Sequence, residues 1–221
     1  MIWLFDIDGT LVRCNGAGSS AMSQAFRAAF GKPCDLTAIT FSGRTDTAIT
    51  ADIFNQSGIP LTLDNVKLFN ELYLAHLPAE LESRGGTVLP GAREWVERIA
   101  SHANNCLGIV TGNMRASAEI KLQHFDLQSY FPTGGYGDKH ADRYQVVADA
   151  ISCVRSYYEV YDEQEIWTIG DTPLDISAAR HNDIRVVAVA TGGASYQQLA
   201  QHRPDELVES LINDSFLDRM L

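Results

Sequence analysis

Cysteine is scarce in this 221-residue chain, and its four copies, Cys14, Cys34, Cys106 and Cys153, stand far apart. No C-x-x-C pair exists and no histidine lies near enough to complete a zinc spacing, so neither a disulfide framework nor a structural zinc site is expected. Long apolar runs are missing as well, since none approaches the roughly 20 residues that span a bilayer. The short apolar start, Met1 to Phe5, carries no basic leader and runs straight into Asp6. A cytoplasmic chain without a membrane anchor is the expectation. Positive charge is also in deficit, with 17 Lys and Arg against 28 Asp and Glu and a formal charge of -11. Such a surface repels nucleic-acid backbones and anionic membranes, so neither is expected as a partner. A small anionic substrate would need a locally positive pocket.

What is present is an ordinary globular composition, 45% hydrophobic and 20% charged, with no repeat or low-complexity tract. Four short apolar runs stand out: Ile2 to Phe5, Cys106 to Val110, Ile166 to Ile169 and Val186 to Val189. Each is short enough for a strand buried on both faces, and amphipathic helical stretches separate them, including one predicted over 92–103. The alternation predicts an α/β fold with a parallel sheet and crossover helices. In open sheets of that kind ligands bind beyond the carboxyl ends of the strands. The residues there are Asp6, Thr111, Gly170-Asp171 and Thr191-Gly192-Gly193.

About a hundred residues separate the first two runs, far more than one crossover needs. Helices are predicted there over 19–30, 45–57 and roughly 64–82. Asn15-Gly16-Ala17-Gly18 and Arg84-Gly85-Gly86 bracket them as flexible joints. The expected organisation is a core of residues 1–14 and 88–221 with a helical cap of 15–87.

The first strand ends in Asp6-Ile7-Asp8-Gly9-Thr10, two neighbouring acids on a turn. Acids so close repel unless a cation joins them, and magnesium suits hard oxygen donors. The alternative is that the two acids merely cap an Asp-Gly turn. Thr111-Gly112-Asn113 after the second strand offers a hydroxyl and backbone N–H groups to phosphate at a helix start, or simply a helix cap. Gly170-Asp171-Thr172-Pro173-Leu174-Asp175 follows the third strand. Its second acid, Asp175, stands open between a metal role and favourable charge at a helix N-terminus.

Taken together, these segments resemble the haloacid dehalogenase superfamily, and phosphoglycolate-phosphatase-like members with a helical C1-type cap in particular. The resemblance runs from Asp6 to residue 189. It implies a Rossmann-like core and a phosphoric monoester hydrolase that acts on a small phosphorylated metabolite with Mg²⁺. By that resemblance Asp6 is the nucleophile, Asp8 the general acid and base, and Thr111 the second-motif hydroxyl. Asp6, Asp8, Asp171 and Asp175 would serve the metal. Thr10, Gly112 and Asn113 would meet the substrate, as would Arg44 in Ser42-Gly43-Arg44-Thr45-Asp46. The family's fixed cation, usually a lysine, has two candidates in Asp138-Lys139-His140-Ala141-Asp142-Arg143. Arg143 is preferred, just inside a helix for which Asp142 is a suitable cap, and Lys139 is the alternative. The histidines do not cluster and none is assigned to a metal. A second Asp and the Asp171/Asp175 pair speak against a dehalogenase. A sugar-phosphate mutase and a silent binding module stay as alternatives, and monomer and homodimer are equally open.

Overall fold

The computed structural model describes residues 1–160, 164–212 and 215–221. Its centre is a six-stranded, wholly parallel sheet. The strands are β1 (Ile2–Phe5), β4 (Cys106–Val110), β5 (Gly134–Gly135), β6 (Ile166–Gly170), β7 (Arg185–Val189) and β8 (Glu206–Val208). Their order is β5-β4-β1-β6-β7-β8. The chain therefore builds outward from β1 to one edge, returns to its other side at β6, and builds to the opposite edge. Such a reversal opens a crevice beyond the strand ends, flanked by β1, β4 and β6.

β1 lies in the middle because every one of its residues is apolar and can be buried on both faces. Trp3 and Phe5 point to one face, where Trp3 stacks on Trp167 at 6.3 Å between ring centroids and meets Phe216 edge-on. Trp95 of α4 (Ala92–Ala100) covers the same layer. Ile2 and Leu4 point to the other face. There they join Val146, Val147, Ala150 and Val154 of α6 (Arg143–Tyr158) and Ala178 of α7 (Pro173–His181). The remaining helices of this part are α5 (Arg115–His124), α8 (Tyr196–Gln201) and α9 (Ser215–Met220).

Between β1 and β4 the chain forms α1 (Ala17–Phe30), α2 (Asp46–Ser57) and α3 (Leu63–Arg84). Phe26, Phe30, Phe54 and Phe69 give these helices an aromatic centre of their own, with edge-on pairs at 5.4 to 6.4 Å. Where the chain leaves and re-enters the sheet layer, β2 (Val12–Arg13) pairs antiparallel with β3 (Thr87–Val88). Just beyond that pair, Asn15 Nδ2 donates to the Arg84 and Gly85 carbonyls, and Arg84 Nη2 donates to Ser20 Oγ.

Several local expectations shift. Ala17 and Gly18 belong to α1, and the turn is made by Asn15 and Gly16, both at positive φ. The helix predicted over 92–103 stops at Ala100, so His102 lies in a turn, and His202 likewise sits just past α8. Among the described residues no helix is long and apolar enough to cross a membrane.

Candidate active site

Asp6 continues β1, its backbone N–H donating to Ile169 O at 3.0 Å, so its side chain is delivered to the crevice by the sheet itself. Asp171 arrives in the same way after β6. Its carboxylate is wedged between two glycines: a Cβ on Gly9, which sits at φ 85°, would lie 2.5 Å from Asp171 Oδ2, and one on Gly192 only 1.6 Å away. Both positions exclude any side chain. Thr10, expected among the substrate contacts, is instead fully buried, and its hydroxyl donates to Asp171 Oδ1 at 3.2 Å. It holds a carboxylate in place rather than facing the cleft.

Asp175 settles into the helix-capping arrangement. Its Oδ2 accepts from the N–H and hydroxyl of Thr172 at 3.0 and 2.7 Å, closing a capping box at the start of α7. Its Oδ1 receives Arg143 Nη2 at 2.7 Å. Arg143 is the first residue of α6, is 6% exposed, and also reaches Asp6 Oδ1 at 3.1 Å and the Val110 carbonyl at 3.2 Å. Its buried Nε has no acceptor among the described residues. Lys139, by contrast, is exposed in the loop before α6. Asp142 precedes the helix without capping it; its carboxylate takes the Tyr144 hydroxyl at 2.9 Å.

Oxygens of Asp6, Asp171 and Asp175 lie within 4.8 Å of one another. Burial pushes Asp6 up to about 6; Arg143 opposes the shift, while Asp175 and Asp8 add to it. Asp171 is raised well above the usual carboxylate range by burial and then by Asp175 and Asp6. One guanidinium therefore does not balance three acids. A hard divalent cation with oxygen ligands fits this donor set and relieves the repulsion.

Asp8 belongs to a second cluster, around Lys121. Its side chain is 42% exposed toward the cleft, and its Oδ2 accepts Lys121 Nζ at 2.6 Å and Asn113 Nδ2 at 2.7 Å. Burial alone would raise this carboxyl, but Lys121 outweighs it and holds Asp8 below the usual range. Thr111 lies buried beside it, its hydroxyl accepting from Asn113 Nδ2 at 2.7 Å. The Thr111-Gly112-Asn113 segment does not open the helix as expected; α5 begins at Arg115.

Lys121 was not anticipated from the chain. A lysine on an amphipathic helix normally reads as solvated, yet this one shares a face with the buried Ser117, Ala118 and Leu122. A cation on an apolar face implies a buried acidic partner, and that was the available signal.

The insert closes the cleft from above. Thr45 caps α2 by accepting from Ala48 N–H at 3.2 Å. The Asp46 N–H donates to Gly112 O at 2.7 Å, and its carboxylate accepts from Met114 N–H at 2.8 Å and Ser117 Oγ at 3.2 Å. Gly112 is required for this approach, because a Cβ there would sit 2.1 Å from Arg44 O. Arg44 lines the cleft but is ion-paired with Asp52 of its own helix layer. The cleft has a volume of about 490 Å³ and is lined by Asp6, Asp8, Lys121 and Arg143 together with Arg44 and Tyr73 of the insert.

The sequence profile of the haloacid dehalogenase-like hydrolases matches residues 3–189. A protein of Caldanaerobacter subterraneus provisionally named pyrophosphatase PpaX is 23% identical over 94% of this chain and 90% of its own length. The phosphoglycolate phosphatase of Synechococcus elongatus is 27% identical over 56% of this chain and 55% of its own. The crystal structure of a predicted phosphoglycolate phosphatase from Haemophilus somnus superposes over 100% of this chain and 97% of its own, with a TM-score of 0.72 at 20% identity.

Proposed function

The chain belongs to the haloacid dehalogenase-like hydrolase family, and on that footing we propose that it is a Mg²⁺-dependent phosphatase of small phosphate monoesters, with Asp6 as nucleophile. The observation that carries this reading is the clustering of Asp6, beyond β1, with Asp171 and Asp175, beyond β6, and the pairing of Arg143 with Asp6 and Asp175. Mg²⁺ would be held by Asp6, the Asp8 backbone carbonyl and Asp171, with Asp175 steadying the set through Arg143, and would supply positive charge against the phosphate oxygens.

Asp6 attacks phosphorus, forming an aspartyl-phosphate as the ester P–O bond breaks and its electron pair leaves with the alcohol oxygen. That oxygen takes a proton from Asp8. Lys121 favours the ionised carboxylate, but a phosphate dianion brought beside it pushes the other way by like-charge repulsion. Asp8, now ionised, then takes a proton from the water that attacks the aspartyl-phosphate, and inorganic phosphate leaves. Arg143 steadies the Asp6 carboxylate before attack and sets positive charge beside the site of phosphoryl transfer. Thr111 and Asn113 line the cleft where a phosphate would lie. Residues 15–87 act as the cap that excludes bulk water and selects the leaving group.

The test is hydrolysis of p-nitrophenyl phosphate by the wild-type protein and by Asp6→Asn, with and without Mg²⁺. The wild type should turn over only with the metal, and Asp6→Asn should lose at least about 10³-fold in kcat. Equal rates for the two proteins would refute the nucleophile assignment.

A further inference from the structure

Lys121 has no part in holding the phosphate or the cation, yet it is 4% exposed and lies at the floor of the cleft. Its ammonium meets Asp8 Oδ2 at 2.6 Å and Asn113 Oδ1 at 2.7 Å, while Asn113 returns a bond from Nδ2 to the same Asp8 oxygen at 2.7 Å. The three side chains form a closed ring. Cys14, Asp46 and Tyr73 line the same cleft as Asp8 and Lys121. Turning Asp8 Oδ2 toward the cleft would break two short bonds, one of them charged on both sides.

We infer that Lys121 is a positioning residue for Asp8, clamping one carboxylate oxygen together with Asn113 so that the carboxylate is held in one orientation for proton transfer to the leaving oxygen. This rests on the phosphatase reading above. The step served is the departure of the alcohol: as the P–O bond breaks, its electron pair goes to the leaving oxygen and the proton comes from Asp8. A buried lysine that only ties the insert to the sheet layer would affect every substrate alike. A positioning lysine matters most where the departing oxygen needs a proton.

The experiment compares Lys121→Met, which removes the donor, with Lys121→Gln, which keeps an N–H without the charge. Each is assayed with Mg²⁺ on glycerol 2-phosphate, whose alkoxide requires protonation, and on p-nitrophenyl phosphate, whose phenolate does not. For Lys121→Met, the single-turnover rate of alcohol release from the alkyl ester should fall about 100-fold, against less than about 3-fold for release from the aryl ester, with the half-saturating substrate concentration little changed; hydrolysis of the aspartyl-phosphate, which also uses Asp8, is common to both esters and is kept out of this readout. Lys121→Gln should recover part of the alkyl activity. Retained aryl activity serves as the check on folding, and Lys121→Gln carries the comparison if Lys121→Met does not fold. Equal losses in the single-turnover release from the two esters, or a change confined to KM, would overturn the inference. A crystal structure of the variant decides independently of activity: the Asp8 carboxylate should turn from its wild-type orientation, and an unmoved carboxylate overturns the proposal. A wild-type protein inert on both esters would strike the phosphatase reading instead, and the Asp8 rotamer would still decide the positioning.

Discussion

The two acidic clusters in the cleft use the same ingredients, and their carboxyls shift in opposite directions. Around Asp6, three buried carboxylates crowd together while Arg143 pairs with two of them, Asp6 and Asp175, and Asp6 is pushed up to about 6. Around Asp8, one ammonium lies at 2.6 Å with Asn113 beside it, and the carboxyl is held low. Asp46 shows that the close partner decides: it belongs to the second neighbourhood without a direct bond to Lys121, and burial pushes it up to about 6 as well. An excess of acid is suited to recruiting a cation, whereas a matched pair is suited to fixing one geometry.

The strongest way to break this contrast is to remove Arg143. Arg143→Ala leaves Asp6 and Asp175 buried and unpaired, so kcat on p-nitrophenyl phosphate should fall about 10²- to 10³-fold. Unfolding in urea should show a loss of about 3 kcal/mol when measured without metal. Lys139→Ala, which alters only an exposed side chain, should leave both quantities within error. The reverse outcome would move the fixed cation to Lys139.

A subtler perturbation acts through shape. Gly192→Ala drives a methyl group against Asp171, and the collision should cost about 1–3 kcal/mol of stability. Half-maximal activation should then need about tenfold more Mg²⁺ if Asp171 is a ligand. An unchanged Mg²⁺ titration would count against that assignment.

The smallest expected effect is a pH slope. Between 3.8 and about 6 the folded chain holds a proton on Asp46 that the unfolded chain has released, so its contribution to stability falls as pH rises through that window. Asp6 acts in the same direction when no metal is present. Urea unfolding of the metal-free protein at intervals from pH 4 to 7 should therefore show a decline that Asp46→Asn reduces by about 1 kcal/mol. An identical slope in both proteins would show that Met114 N–H and Ser117 hold Asp46 ionised throughout.

Much of this was legible in the chain because a strand buried on both faces needs an unbroken apolar run. Ile2 to Phe5 and Cys106 to Val110 coincide with β1 and β4 for that reason. The two-residue strands β2, β3 and β5 were not legible, since Val12-Arg13, Thr87-Val88 and Gly134-Gly135 are too short to show a period. The preference for Arg143 over Lys139 rested on helix position, and burial on Asp6 and Asp175 supports it. Thr10 was misjudged because a motif hydroxyl looks the same whether it faces a ligand or a neighbouring carboxylate.

The sequence by itself determined the parallel sheet, the long helical insert and the strand-end acids Asp6, Asp8 and Asp171, because apolar runs and the residues that end them are local properties. Tertiary structure alone decided which acid each cation serves. Lys121 and Asp8 are 113 positions apart, and Arg143 and Asp175 are 32 apart. No local pattern encodes such distances; they follow from the order in which the sheet places β1, β4 and β6 side by side.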